Sequence, residues 1–162
     1  MTASHRLSSD QWATLARPVM TAFITAAQDW KLNSEETREI AGNPPKPQFD
    51  VWLRALATED SLHIASNRLI RLGAVIGIHQ ATRRLLPHRE DRLHWLTQPS
   101  RGPACRGLAP LVILKDPEDH IVIRLREAID EWLLLHGLAG AEVVSHPDQT
   151  TRAQALTRKS KP

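Results

Sequence analysis

Eight histidines, one cysteine and the acids Asp116, Glu118 and Asp119 are the residues of this chain whose types could do chemistry. A metal site needs nitrogen, sulfur or oxygen ligands at a spacing that lets them converge. His88 and His94 are six residues apart and fall on different sides of a helix, and His63 and His79 are sixteen apart. No His-x-x-x-His and no cysteine pair occurs, so the spacing offers no zinc site. Cys105 has no nearby histidine to activate it and reads as a small apolar filler. His120 and the neighbouring acids fit the start of a helix, where negative charge suits the dipole. There is no phosphate loop and no glycine-rich nucleotide fingerprint. These residues predict no enzyme, no bound metal and no cofactor.

The most irregular stretch is LTQPSRGPACRGLAPL, residues 96–111. Three prolines, two glycines and the only cysteine fall within sixteen residues flanked by helix-forming sequence. Pro99, Pro103 and Pro110 fix backbone angles, so the seam loses little entropy on ordering. It predicts a preformed, non-helical surface between two helices, a feature that favours tight partner binding. The alternative is an ordinary ordered loop that completes the core.

The elements around it are helical. Alternating β-branched runs are absent, so the chain predicts an all-α fold. A first helix starts at Ser8 or Ser9, with Ser9 as its N-cap. Trp12, Leu15, Val19, Phe23 and Ala26 share its inner face, and Pro18 kinks it. Asn33 and Glu36 form a capping box, Leu32 staples onto Thr37 or Ile40, and Gly42 closes a short helix. After the stiff NPPKPQ turn, Phe49, Trp52, Leu53 and Leu56 line one side of the next helix. Thr58 then caps a long helix reaching Leu86, whose apolar line is Leu62, Ala65, Leu69, Leu72 and Ile76, joined by Ile70, Ala74 and Ala81. Gly73 and Gly77 let another helix come close, and Pro87 stops the run. A short helix spans residues 90–96. Asp116 caps the last strong helix, with Pro117 at N1; Val122, Leu125, Ile129, Trp132 and Leu133 face inward and Gly137 ends it.

The chain has 162 residues, with 41% hydrophobic and 24% charged side chains, as in a soluble globular protein. No run suits a membrane span or a secretory signal, and a lone cysteine suggests no oxidising compartment, so the expected location is the cytoplasm. The net charge of +3 lies in residues 146–162, where four basic side chains oppose Asp148. Residues 54–106 are locally basic, with nine arginines against four acids. That is weak evidence for a phosphate or an acidic protein as partner.

Residues 32–56 have the shape of a helix-turn-helix, whose second helix would offer Lys46, Gln48 and Arg54 to DNA. The alternative is a three-helix packing unit of the same outline. Asp50 in that helix would face phosphate repulsion.

Read in order, the motifs are W-K-L-x-x-E-E-x-x-E-I-A-G, then F-D-V-W-L, then R-L-x-R-L on the long helix, then W-L and P-A-C-R-G-L-A-P-L. Over roughly residues 28–136 this resembles the Xre/MbcA/ParS group of antitoxins, partners of RES-domain toxins. The matching positions of the second domain are Trp95, Leu96, Pro99, Cys105, Gly107, Pro110 and Leu111. Cys105 stands where the family pattern has a bulky apolar residue, and two extra residues separate Pro99 from Gly107.

The resemblance implies an Xre-like helix-turn-helix region (1–57), a toxin-binding helical domain (58–140) and a basic tail (141–162). It also implies an antitoxin that occludes a toxin similar to NAD-dependent ADP-ribosyltransferases, and whose complex represses its own operon. The expected partners are the cognate toxin in a hetero-oligomer, operator DNA, and further copies of the antitoxin. Candidate toxin contacts are Arg101, Arg106 and Leu108 in the seam, with Ala141, Val143 and Val144 in an apolar arm. The other reading is a stand-alone helix-turn-helix regulator without a toxin.

Overall fold

A computed structural model describes residues 6–102 and 104–137. Among them all regular structure is helical: α1 (Ser9–Asp29), α2 (Ser34–Ile40), α3 (Lys46–Thr58), α4 (Ser66–Leu85), α5 (Arg89–Thr97), α6 (Pro110–Leu114) and α7 (Asp119–Gly137). The three long helices, α1, α4 and α7, run the same way. Trp12 and Ser66, near the starts of α1 and α4, line one cleft, and Asp29 at the end of α1 bonds His79 on α4. Arg71 on α4 bonds Asp119 at the start of α7, and Arg126 lies across Gly77 further along both helices. Each return between long helices is made by a short pair, α2–α3 or α5–α6. No described helix is long and apolar enough to cross a membrane.

The apolar faces of all three long helices meet in one core, with Met20 and Phe23 from α1, Leu72, Val75 and Ile78 from α4, and Val122, Leu125 and Ile129 from α7. Phe49 and Trp52 of α3 close one side, their rings edge-on at 6.2 Å. Burial of such side chains stabilises the fold by about 1.5–3 kcal/mol each.

The helix ends depart from several sequence expectations. The cap of α1 is Ser8, one residue earlier than Ser9. Its hydroxyl accepts from the Gln11 amide while the Gln11 side chain accepts from the Ser8 amide at 2.8 Å. The inner face of α1 is built on Ala16, Met20, Phe23 and Ala27, and Leu15 turns outward. The small alanines let α4 pack close. Pro18 is accommodated within an unbroken α1. The Asn33–Glu36 capping box forms as expected, with bonds of 2.8 and 3.1 Å. The bond from the Asn33 amide holds the Glu36 carboxyl below its ordinary range.

Thr58 caps nothing. It ends α3, and its hydroxyl hydrogen-bonds the Arg54 carbonyl and the Asp60 carboxylate. Glu59 turns left-handed, at φ 61°, and residues 60–65 run as irregular chain that buries Leu62 and Ile64. The Arg17 guanidinium donates to the Ala55, Leu56 and Asp60 carbonyls there, so a side chain of α1 satisfies the free end of α3. On α4, Ile70 faces solvent and the buried Arg71 takes the inward position. Nothing approaches Gly73 closely, so only Gly77 of the glycine pair meets a neighbour. Asp116 accepts from the Glu118 amide in a turn, and α7 begins three residues after it, at Asp119.

The C-terminal end of α1 is held by charge. Asp29 accepts from His79 at 2.9 Å and faces Arg92 and Arg89 at 3.5 Å each. Arg89 also donates to the Asp29 and Gln28 carbonyls, and the edge of Trp30 meets the His79 ring. Burial pushes the Asp29 carboxyl upward, but the His79 hydrogen bond and the charges of Arg92, His79 and Arg89 outweigh it, so its pKa is lowered. A depressed carboxyl stabilises the fold above its unfolded pKa, near 4, and the contribution is lost as pH falls through the folded value. Asp29→Asn should therefore cost about 1–3 kcal/mol at pH 7 and flatten the loss of stability below pH about 4. Urea unfolding across pH 2–7 measures both; an unchanged acid limb would refute the assignment.

Candidate functional site

The seam is an ordered turn closed on itself. The Ser100 amide donates to the Leu108 carbonyl at 3.1 Å, and the Gly107 amide donates back to the Ser100 carbonyl at 2.8 Å. Inside this clasp the Cys105 and Arg106 amides both donate to the Gly102 carbonyl, and the Leu108 amide donates to the Cys105 carbonyl. Arg106 and Gly107 have positive φ, 49° and 83°. Only glycine takes the second of these without strain. The turn thus reverses on a left-handed pair, which throws the Arg106 side chain outward.

Anchors beneath the turn leave three expected contact residues at the surface. Cys105 is buried in the core with Leu96, Pro110, Ile113 and Leu114. Arg101, Arg106 and Leu108 are exposed, Leu108 by 48%. The expectation of a wholly non-helical seam is corrected at its end, where residues 110–114 form the single turn of α6 with Pro110 at N1. Buried Ile113 and Leu114 leave Val112, at 52% exposure, on the outside. Val112 escaped the sequence reading because P-L-V-I-L is apolar throughout; it joins the surface because a five-residue helix can bury only one side. Two apolar side chains, Leu108 and Val112, and two guanidinium groups, Arg101 and Arg106, are therefore exposed on the seam and the helix after it.

Chemistry by Cys105 is unfavourable here. Burial pushes its thiol up, opposed by a hydrogen bond with Ser100, and a thiol rather than a thiolate is a poor nucleophile. Among the described residues no group of three or more His, Cys, Asp or Glu could hold a metal. His79 and Asp29 form a dyad of the kind used in catalysis, but both serve the α1–α4–α5 junction, and among the described residues no hydroxyl or thiol bonds the imidazole.

The second candidate surface is the outer side of α3. Lys46, Gln48 and Arg54 are all exposed, but only Lys46 and Arg54 share that side; Gln48, in the first turn, falls on the side of Trp52 and Ala55. Lys46 is paired with Asp50 at 2.8 Å, so its charge is partly spent within the helix. The helix begins at Lys46, before the expected Phe49, because Pro45 serves as N-cap and Pro47 lies in the first turn, where a missing amide costs nothing. The turn from α2 is tight. Gly42 has φ 96° and Asn43 φ 53°, and Arg38 donates to the Pro44 carbonyl. A side chain at Gly42 would run into Arg68 and Arg71.

Those two arginines, the R-L-x-R-L pair, tie the two surfaces together. Arg68 donates to the Gly42 carbonyl. Arg71, fully buried, donates to the Ile40 carbonyl at the end of α2, to the Leu114 carbonyl at the end of α6, to the Asp116 carbonyl after it, and to the Asp119 carboxylate. Lys115 reinforces the junction through Glu36 at 3.2 Å and Glu39 at 3.4 Å. Sequence reasoning noted the motif without its role. Ala141, Val143 and Val144 lie outside the described residues.

Comparison with family models, with curated proteins and with solved structures finds no match for the chain.

The seam geometry yields a direct test. Gly107→Val places a β-branched residue at φ 83° and should cost about 1–3 kcal/mol. Thermal melts check this, and a Gly107→Val protein with the wild-type midpoint would show that the turn is not held as described.

Proposed function

We propose that this chain is the antitoxin of a type II toxin–antitoxin pair. It binds a RES-type toxin, similar to NAD-dependent ADP-ribosyltransferases, and neutralises it by occlusion without chemistry of its own. The seam carries this reading: a preformed turn, with the short helix that follows it, that leaves Leu108, Val112, Arg101 and Arg106 exposed. Preformation lowers the entropy lost on docking, and arginine is among the residues that concentrate binding energy at interface centres. The partner surface would be an apolar recess bordered by carboxylates. In the complex, α3 would contact operator DNA through Lys46, Gln48 and Arg54 and repress the operon. One module has few cations for phosphate, so a single copy would bind DNA weakly and lose affinity with salt at a slope near −0.9 per contact.

A stand-alone regulator is the second reading, favoured by the exposed outer side of α3 behind its tight turn. Co-expression with the neighbouring gene separates the two: co-purification and rescue of growth support the antitoxin. Arg101→Glu with Arg106→Glu should then weaken toxin binding by about tenfold or more while leaving helical content unchanged. Binding within twofold of wild type would move the docking surface elsewhere. The purified chain alone should release no nicotinamide from NAD above buffer, and turnover would contradict the reading.

A further inference from the structure

We propose that the cleft between the starts of α1 and α4 binds a small planar molecule that carries one carboxylate. The cleft holds about 400 Å³, a volume within the range of small-ligand sites. Trp12 and the buried Ile64 give it apolar walls, and Ser9, His63 and Ser66 supply its polar side chains. An apolar wall with a few polar groups on one side is the composition of a small-molecule site. Trp12 is half-buried, and an aromatic ring of a ligand can stack or lie edge-on against it.

The backbone at the same place selects the charge. The start of α1 is closed by the Ser8–Gln11 capping box. The start of α4 is not: its N-cap is Ala65, which has no side-chain acceptor to offer. The first ladder bond of α4 runs from the Leu69 amide to the Ala65 carbonyl at 3.0 Å. The Ser66, Asn67 and Arg68 amides therefore find no acceptor among the described residues. The open end of this twenty-residue helix favours negative charge. The cavity and the missing cap coincide at Ala65 and Ser66, so a ring against Trp12 can place its carboxylate on those amides. His63 is the one ionisable side chain in the lining, and when protonated it adds to the attraction. The acids nearest in sequence, Asp10, Glu59 and Asp60, do not line the cleft. The site uses no residue of the seam or of α3, so it stands apart from the toxin reading.

Naphthoate, titrated into the full chain labelled with nitrogen-15, tests this by the amide signals. The Ser66, Asn67 and Arg68 signals should move and saturate. Naphthalenemethanol, its neutral counterpart, should bind about fivefold more weakly. Ala65→Asp brings a carboxylate of its own to the same amides. That variant should melt at a higher temperature than wild type and lose naphthoate binding by about fivefold or more. Trp12→Leu should weaken binding by about threefold; if it also loses helical content, Ala65→Asp decides alone. No saturable shift, shifts confined to other amides, equal binding of the alcohol, or wild-type binding by Ala65→Asp would overturn the proposal.

Discussion

One buried guanidinium organises this molecule. Arg71 sits in the core with no exposure, and its bonds reach α2, the segment after α6, and the start of α7. Burying a cation is expensive unless its donors are satisfied. Here the distances are 2.7–3.1 Å to three carbonyls and one carboxylate. Desolvation draws the proton affinity of Arg71 down, and Asp119 opposes that pull. The planar fork matters, because a lysine ammonium could not span partners on opposite sides. Carbonyls at the ends of α2 and α6, and the Asp116 carbonyl between α6 and α7, thus find donors in one side chain.

A second arginine and a histidine repeat the device elsewhere. Arg17 closes the end of α3 from α1, and Asp29 gathers His79, Arg89 and Arg92 at the end of α1. Parallel long helices need returns that cross the bundle, and each return leaves free carbonyls. Basic side chains from neighbouring helices satisfy them. The arginines of residues 54–106 are thus partly structural: Arg68, Arg71, Arg89 and Arg92 are engaged in hydrogen bonds, while Arg101 and Arg106 are exposed at the seam.

Local signals were legible where chain neighbours decide the outcome. The Asn33–Glu36 box, the turn at Gly42 and the inward line Val122–Leu125–Ile129 are encoded within a few residues of themselves. So is the seam, whose prolines and glycines cannot extend a helix. The failures share a cause in tertiary contacts. Thr58 has the composition of a cap, but Arg17, forty-one residues earlier, satisfies the end of α3 and lets the chain stop there. Ile70 reads as core in the apolar line, because periodicity scores polarity and cannot see that Ile40, Leu114 and Asp116 offer carbonyls that draw Arg71 inward. The same blindness hid the Asp29–His79 pair, whose members are fifty residues apart. Asp116 makes a cap-like side-chain bond to the Glu118 amide, but its carbonyl serves Arg71 instead of opening the helix ladder, so α7 starts later.

Because Arg71 bonds both the end of α2 and the start of α7, the α3 surface and the seam belong to one mechanical unit. Native-state hydrogen exchange tests this most directly, followed at the Asn43 amide after α2 and at the Lys115 and Asp116 amides after α6, whose bonds lie on either side of the guanidinium. In Arg71→Met all three should lose protection together and by similar factors, while the amides in the middle of α1 keep more of theirs. Loss confined to one side, or no loss at either, would contradict the claim that this residue joins the two surfaces.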